Sequence, residues 1–276
     1  VPLPPANVAS FPAELRVFHR GGSWPDGLNP DTQQPWTLLS ATADSFAEVY
    51  AFDFPPGAAL RSCYEIGNRS VFFLSVTMGF FGMILVFQSA LQAMRVVPDL
   101  TMLGAMYLEL LVRDLAASIG AMMLATRVGA GIAAEIGSMV VTEQVDALRM
   151  CGVDPVNYLI VPRFKASLVM TGVLILWGGA VSFLAGGATA YFLFDVRPGT
   201  FANPVLLDKG DVIIGLTKCV VYGAAIPTVS GWCGMSTFGG SEGVGQATTR
   251  AVVNSSLAVI MLNLAISSVG FLLFPV

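Results

Sequence analysis

This 276-residue sequence contains few charged residues. Asp, Glu, Lys and Arg together make up 12% of it, whereas an ordinary soluble domain has about 25%. Apolar residues make up 55% and the mean hydropathy is +0.72, so the composition indicates an integral membrane protein. The formal net charge of −4 provides no basic patch for a phosphate backbone, which argues against nucleic-acid binding.

The residues and motifs of common enzyme sites are also scarce. An ATP-binding P-loop has the pattern G-x-x-x-x-G-K-[ST], yet none of the three lysines (Lys165, Lys209 and Lys218) follows a glycine. The single histidine is His19 and the sequence lacks a G-x-S-x-G motif, which disfavours a Ser–His hydrolase. The four cysteines form no C-x-x-C pair, so they indicate neither a disulfide framework nor a zinc site. We therefore expect a non-enzyme with no cofactor or metal of its own.

Long apolar runs are what the sequence has instead. A helix needs about 20 mostly apolar residues to cross a hydrocarbon core of about 30 Å. Five runs meet this length, and we number them as spans 1 to 5: about 71–94, 102–134, 164–194, 212–235 and 251–276. Their length, with Gly and Pro inside them, favours helices over β-barrel strands of about 10 residues. The sequence thus predicts an all-α polytopic membrane protein.

The distribution of positive charge predicts the orientation, because Lys and Arg near span ends are retained on the cytoplasmic side. One side of the membrane receives the residues before span 1, between spans 2 and 3, and at the start of span 5: Arg61, Arg69, Arg149, Arg163, Lys165 and Arg250. The other side receives Arg95, Arg197 and Lys209. The N-terminus is therefore expected in the cytoplasm and the C-terminus outside.

Two segments precede the spans. Residues 1–35 hold seven of the 16 prolines and read as an irregular cytoplasmic arm. Region 36–69 follows, and between Trp36 and Phe52 apolar and polar residues separate onto two sides of a predicted helix. This amphipathic helix could lie in the membrane interface or pack on the protein, and the residues favour neither alternative.

Small and polar residues inside the spans predict how the spans pack. Spans 2 and 3 each carry a small residue at every fourth position, which lets another backbone approach closely. The two rows are Ala117, Ala121, Ala125, Gly129, Ala133 and Gly137 in span 2, and Gly178, Ser182, Gly186 and Ala190 in span 3. We therefore expect spans 2 and 3 at the packed centre. Pro227 predicts a kink or break in span 4. In span 5, Ser256, Asn263 and Ser267 predict a face that meets protein, a cavity or a second subunit.

Span 2 also contains charged residues, which are costly in a membrane and often functional. Glu109 and Arg113 are one helical turn apart and can pair, with Asp114 adjacent. A structural ion pair and a role on a substrate path are equally compatible with this pattern. Arg127 and Lys218 are expected either to snorkel toward the interface or to pair inside the bundle.

A polar stretch, AEIGSMVVTEQVDALRMCGVDP at 134–155, interrupts the apolar runs. Gly137 is suited to end span 2, and Thr142 to cap a new helix whose beginning carries Glu143 and Asp146, as the helix dipole favours. An apolar stripe follows one side of this helix: Val141, Val145 and Leu148. The stripe indicates a docking element for a partner protein, although a helix packed beneath its own spans has the same pattern.

Several motifs together resemble one family. The run RVGAGIAAEIGSMVVTEQVDALRMCGVDPVNYLIVPR, 127–163, closely resembles the signature of MlaE/YrbE-type permeases. These are membrane subunits of ABC transporters that move lipids together with Mce-domain proteins. YEIGNRS at 64–70, GMILVFQ at 82–88 and ATTRAVVNSSLAVI at 247–260 resemble other parts of the family's sequence. LVRDLAA at 111–117 departs from the family's usual Arg-Glu followed by Gly-Pro.

The resemblance implies a bacterial inner-membrane permease domain at 70–276 that works with three kinds of partner. These are an ABC ATPase subunit that binds ATP and Mg²⁺, an Mce-domain protein, and a second permease copy or paralogue. It also implies that the segment 135–148 is a coupling helix seated on the ATPase, with a second contact at 235–246. The coupling candidates are Glu135, Met139, Thr142, Glu143, Gln144, Asp146 and Leu148.

The resemblance further implies a lipid cavity between two permease halves. Candidates for its wall lie along one face of span 1: Met83, Phe87, Gln88 and Leu91. Each of these could equally face lipid or the protein core. A stand-alone secondary transporter or channel is the alternative function, for which Glu109 and Asp114 would supply an ion path. A purely structural membrane scaffold is a third possibility.

Overall fold

The computed structural model of the protein describes residues 58–96, 102–152 and 155–273. Within these ranges the chain forms helices and turns and contains no strand, so the predicted all-α fold is confirmed. The Pro-rich segment 1–35 and the predicted amphipathic helix between Trp36 and Phe52 lie outside the described residues.

Helices make up most of the described chain. In chain order they are α1 (Ala58–Val96), α2 (Leu103–Val141), α3 (Gln144–Met150), α4 (Val161–Phe194), α5 (Pro198–Phe201), α6 (Lys209–Met235) and α7 (Gly240–Leu273). Helix α2 contains two π-helical turns, Leu111–Leu115 and Ala125–Gly129, and a third such turn, Val156–Ile160, leads into α4. Helices α1, α2, α4, α6 and α7 are long and apolar enough to cross a membrane, which confirms the five predicted spans.

The short helices mark the two ends of the bundle. At one end, which we call the α3 end, the last turns of α2 meet the start of α4, where Glu135 pairs with Arg163 at 2.6 Å. At the opposite end, the α5 end, Gly104 near the start of α2 packs against the backbone of Phe201 in α5. The loop that carries α3 therefore lies on the same side of the bundle as the start of α1.

The small-residue rows of α2 and α4 are buried, but they do not face each other. A Cβ added to Gly129 would lie 2.9 Å from Ser230 Oγ and 3.3 Å from Ser255 Oγ, so the α2 row packs against α6 and α7. A Cβ added to Gly178 would lie 3.1 Å from Met78 Cγ, so the α4 row packs against α1. The expected contact of spans 2 and 3 exists at the α5 end, where the Tyr107 hydroxyl lies 2.9 Å from Ser182 Oγ of the α4 row, while Gly129 and Gly178 pack against other helices.

Two residues expected to interrupt helices lie inside them instead. Helix α2 continues through Gly137 to Val141. A Cβ at Gly137 would lie 2.8 Å from Thr237 Oγ1, so this glycine permits close contact with the loop between α6 and α7 rather than ending the helix. Helix α6 likewise runs through Pro227 to Met235, so the chain does not break there.

The turn between α2 and α3 also differs from the prediction. The Thr142 hydroxyl donates to the Ser138 carbonyl at 2.8 Å, so Thr142 closes α2 rather than capping α3. Glu143 precedes α3 in the left-handed conformation, with φ of 59°, and its side chain makes no capping hydrogen bond. Only Asp146 of the two predicted acids lies within the first turn of α3. A residue in the left-handed conformation cannot continue a right-handed helix, so α2 ends here and α3 begins as a separate helix.

Candidate functional site

An ion pair joins the first half of α2 to the start of α6. Arg113 Nη1 lies 3.4 Å from Asp211 Oδ1, so the predicted pairing of Arg113 with Glu109 is wrong. The Asp211 side chain is only 7% exposed, and a buried carboxylate requires a counter-charge more than the half-buried Glu109 does. The other oxygen of Asp211 accepts from the backbone nitrogen of Asp208 at 3.1 Å in a capping box. The cap holds this carboxylate in place for the arginine.

A second ion pair lies deeper in the bundle. The Lys218 side chain is 0% exposed, and its Nζ lies 2.5 Å from Asp114 Oδ1. It also donates to Ser267 Oγ on α7 at 2.8 Å. One turn further along α6, the Tyr222 hydroxyl donates to Asn263 Oδ1 at 3.0 Å. Lys218 therefore pairs inside the bundle, and two of the polar residues predicted on span 5 meet protein.

Counted from the starts of α2 and α6, the position of the Asp114–Lys218 pair corresponds to the middle of a membrane. Asp114 follows Leu103 by 11 residues, and at a rise of about 1.5 Å per residue this places it about 16 Å along α2. Lys218 follows Lys209 by nine residues, or about 14 Å along α6. Both values are close to half of a hydrocarbon core of about 30 Å. Ionised groups at this depth are expensive, and they mark functional positions in membrane proteins.

An apolar cavity of about 300 Å³ adjoins these charges. It lies between α2, α4 and α6, and its lining includes Leu111, Val112, Phe183, Val212, Leu216 and Cys219. Val112 and Val212 are the chain neighbours of Arg113 and Asp211. The cavity walls are apolar, and the ion pairs lie on adjacent faces of α2 and α6 rather than in the cavity lining, so the cavity itself suits an apolar group such as an acyl chain.

The four residues predicted to line a lipid cavity lie elsewhere. Met83, Phe87, Gln88 and Leu91 belong to a face of α1 that does not reach the apolar cavity. Phe87 and Leu91 are exposed, and the Phe87 ring lies 6.0 Å from that of Phe194. The buried neighbour Val86 also contacts α4, close to Gly186. This face of α1 is open to lipid or to another chain, and its function stays a prediction.

Helix α3 has one buried side and one solvent-exposed side. Val145 is buried and Leu148 is half-buried, as the predicted apolar stripe requires. Asp146 is on the other side, with its side chain 67% exposed, and pairs with Arg149 at 3.1 Å. An exposed pair of this kind contributes little to stability. The charged side of α3 is therefore available for contacts with a partner.

The remaining coupling candidates surround α3 but do not form one cluster. Thr142, Glu143 and Gln144 are exposed at the turn before α3, and Met139 is half-buried on α2. Glu135 lies two turns earlier on α2 and pairs with Arg163 of α4. Of the seven candidates, Glu135 thus belongs to a contact between α2 and α4 rather than to the turn.

Sequence reasoning missed Asp211 and the pairing of Lys218 with Asp114. Asp211 immediately precedes the predicted start of span 4, so it did not stand out as a charge within a span. A signal was present, since Asp211 and Lys218 are seven residues apart and share one helical face. Such a face, opposite the neighbouring Arg113 and Asp114, could have suggested two pairs.

The five long helices and the charges buried between them define a polytopic membrane protein with an internal polar site. The sequence matches the family described as Permease MlaE over residues 59–269. The chain belongs to this family and is a permease subunit of an ABC transporter.

Curated relatives match most of the chain. A probable ABC transporter permease protein of Rickettsia felis is 35% identical over 232 residues, which cover 82% of this chain and 89% of the relative. A probable ABC transporter permease protein of Synechocystis is 37% identical, covering 77% of this chain and 81% of the relative. The intermembrane phospholipid transport system permease protein MlaE of Haemophilus influenzae is 30% identical, covering 77% and 82%.

Proposed function

We propose that this permease moves a lipid through the membrane part of an ABC transporter. The observation that carries the proposal is the apolar cavity beside the ion pairs of Arg113 and Lys218. Acyl chains require apolar walls, and a polar headgroup requires a charged or hydrated surface nearby. The phospholipid transport named for the Haemophilus relative supports a substrate of this class.

One chain encloses only part of the proposed path. The cavity volume of about 300 Å³ is at the lower limit of about 300–1,000 Å³ for small-molecule sites. A second copy or a paralogue would supply the other wall, in keeping with the exposed face of α1 that carries Phe87 and Leu91. An Mce-domain partner on the external side would receive or deliver the lipid. The chain would be placed in a bacterial inner membrane with its N-terminus in the cytoplasm.

Helix α3 would connect this path to the ATPase subunit of the transporter. A separate ATPase subunit would bind ATP and Mg²⁺ and would contact the exposed side of α3, which includes Glu143 and Asp146. Hydrolysis moves a lipid only if the two states of the permease differ in lipid affinity. A displacement of α3 would create that difference, because the turn at Glu143 joins α3 directly to α2.

The charges on α3 provide the test of this proposal. Reversing both with Glu143→Lys and Asp146→Lys should reduce the amount of ATPase that copurifies with the permease by about tenfold, as expected for loss of complementary charges at an interface. Lipid-stimulated hydrolysis should fall in proportion. The spans should stay folded, since both side chains are exposed, and thermal unfolding in detergent measures this directly.

A matched control is the single reversal Asp195→Lys, which changes an exposed carboxylate at the α5 end. It should leave ATPase copurification unchanged, and Asp146→Lys alone should reduce it. Undiminished ATPase binding and lipid-stimulated hydrolysis in the double variant would remove α3 from the interface. Absence of any ATPase from the purified wild-type complex would instead favour the stand-alone transporter.

The stand-alone transporter receives less support from the charged residues. An ion or proton path requires carboxylates that exchange their partners during transport. Asp114 and Asp211 each have a cation as a partner in this structure, and Lys218 is fully buried. These pairs are better suited to hold α2 and α6 together beside a lipid than to carry ions.

A further inference from the structure

A second cleft, of about 640 Å³, opens at the α3 end of the bundle. It lies between the start of α1, the second half of α2 and the first turn of α4. Three arginines line it, one from each helix: Arg69, Arg127 and Arg163. We call it the arginine cleft. The proposed transport path does not include it, since along α2 it begins about 15 Å beyond the apolar cavity, from Ala117 to Arg127.

The charges of the arginine cleft are only partly compensated. Arg163 is 15% exposed and is fixed by Glu135 and by the Leu159 carbonyl, both at 2.6 Å. Arg69 and Arg127 are exposed, and neither has a hydrogen bond or ion pair with the described residues. Two positive charges thus have no counter-charge among the described residues, in a cleft that a third arginine and one carboxylate border. Guanidinium groups in such an arrangement bind phosphate by paired, charge-assisted hydrogen bonds.

The depth of the cleft corresponds to the headgroup layer of the membrane. Arg127 follows Leu103 by 24 residues, or about 36 Å along α2. The hydrocarbon core measures about 30 Å, so a helix that enters the core near Leu103 has left it by Arg127. Neighbouring residues of the cleft are apolar, and these are Ile66, Val128 and Ile132. Apolar and cationic groups therefore lie side by side where phosphate meets acyl chain in a phospholipid.

We propose that the arginine cleft binds the phosphate of an anionic phospholipid from the leaflet at the α3 end. Arg69 and Arg127 bind the phosphate, while Ile66, Val128 and Ile132 contact the first part of the acyl chains. Free inorganic phosphate shares the ionic chemistry, but it makes no use of the apolar lining. As a loading position for transport, this site rests on the proposed function. As a binding site, it can be measured without the ATPase.

The test is direct binding to the full-length permease in detergent, followed by native mass spectrometry with added dioleoyl phosphatidylglycerol. The double variant Arg69→Gln/Arg127→Gln should bind this lipid about tenfold more weakly than wild type. Arg250→Gln is the matched control, because it removes an exposed arginine at the same end of the bundle but outside the cleft. It should bind as wild type does. Unchanged thermal unfolding will show that the double variant is folded.

Two further ligands identify the chemical group that is bound. Dioleoylglycerol has the same acyl chains without phosphate and should not compete with phosphatidylglycerol. Millimolar inorganic phosphate should displace little lipid, whereas complete displacement would overturn the lipid assignment. Equal binding of phosphatidylglycerol by the double variant and by Arg250→Gln would overturn the site itself. Neither result affects ATPase copurification through α3, so failure of the cleft and failure of the proposed function are distinguishable.

Discussion

Lys218 has a charged nitrogen with no exposed surface near the middle of the membrane. Its position is tolerable only because Asp114 and Ser267 accept hydrogen bonds from it. Removing one partner of a buried pair leaves the other charge uncompensated, which costs more than the pair itself contributes. The stability of this part of the bundle therefore depends on both charges being present together.

The single variant Lys218→Met should therefore destabilise the permease by about 3–5 kcal/mol. The double variant Asp114→Leu/Lys218→Met should recover most of that loss, because it removes both charges and leaves apolar side chains in contact. Thermal unfolding in detergent measures both effects. Thr217→Val, at an exposed neighbouring position, should change the unfolding temperature little. A double variant as unstable as Lys218→Met would contradict a pair in which each charge compensates the other.

The charged residues show what the sequence can and cannot predict of a membrane site. Charged residues are rare in this sequence, so Arg113 and Asp114 were identified as candidate functional residues. The length of the surrounding apolar run placed them inside a span. The seven-residue spacing of Asp211 and Lys218 places both on one face of α6, but the rotation that turns this face toward α2 is not specified by any local pattern. A pairing within one helix, Glu109 with Arg113, was therefore the prediction, and the structure replaces it with Asp211.

Helix α2 contains glycines that are two residues apart and have different surroundings. Gly129 faces Ser230 and Ser255 across a close helix contact, whereas a Cβ on Gly131 would meet nothing within 4 Å. Close approach of backbones is a main source of stability between membrane helices. Only the first glycine is therefore required for the packing of α2 against α6 and α7.

This contrast predicts opposite outcomes for two alanine variants. Gly129→Ala should destabilise the bundle by about 1–3 kcal/mol through overpacking. Gly131→Ala should be neutral or stabilising by up to about 1 kcal/mol, because alanine favours the helix. Unfolding midpoints of the two purified variants, compared with wild type, provide the measurement. Equal destabilisation by both would mean that helix geometry, rather than the contact with Ser230, determines the effect.

The five spans were predictable because a long apolar run has only one structure in a bilayer, a helix. The ends of the helices were less predictable from the sequence. Gly137 reads as a stop signal in isolation, but its neighbour Thr237 comes from a segment 100 residues away. The same holds for the rows of small residues, whose burial was predicted and whose partner helices were not. Local sequence thus determines the helices, and contacts between distant segments determine how the helices pair.

The five-span fold places α3 on the same side of the bundle as the start of α1, which the distribution of positive charge predicts to be cytoplasmic. The native cysteines can test this orientation. Cys151, next to α3, is exposed, whereas Cys219 and Cys233 are buried. A membrane-impermeant maleimide is therefore expected to modify Cys151 when it has access to the cytoplasmic side.

In a Cys63→Ser background, labelling should occur in inverted membrane vesicles and be absent in intact spheroplasts. Cys151→Ser should abolish it in both. Labelling of intact spheroplasts would place α3 outside the cell, where no ATPase can reach it. The proposed coupling through α3 would then be excluded, whatever the lipid specificity of the permease.

The π-helical turns of α2 have a consequence for how this helix could move. A turn of this type holds about one residue more than an α-helical turn, and one residue corresponds to a rotation of about 100°. If the hydrogen bonds at Ala125–Gly129 shifted to the α-helical pattern, the part of α2 after Gly129 would rotate about the helix axis. The Glu135 carboxylate would then rotate away from Arg163, its partner in this structure, and the wall that α2 contributes to the arginine cleft would change.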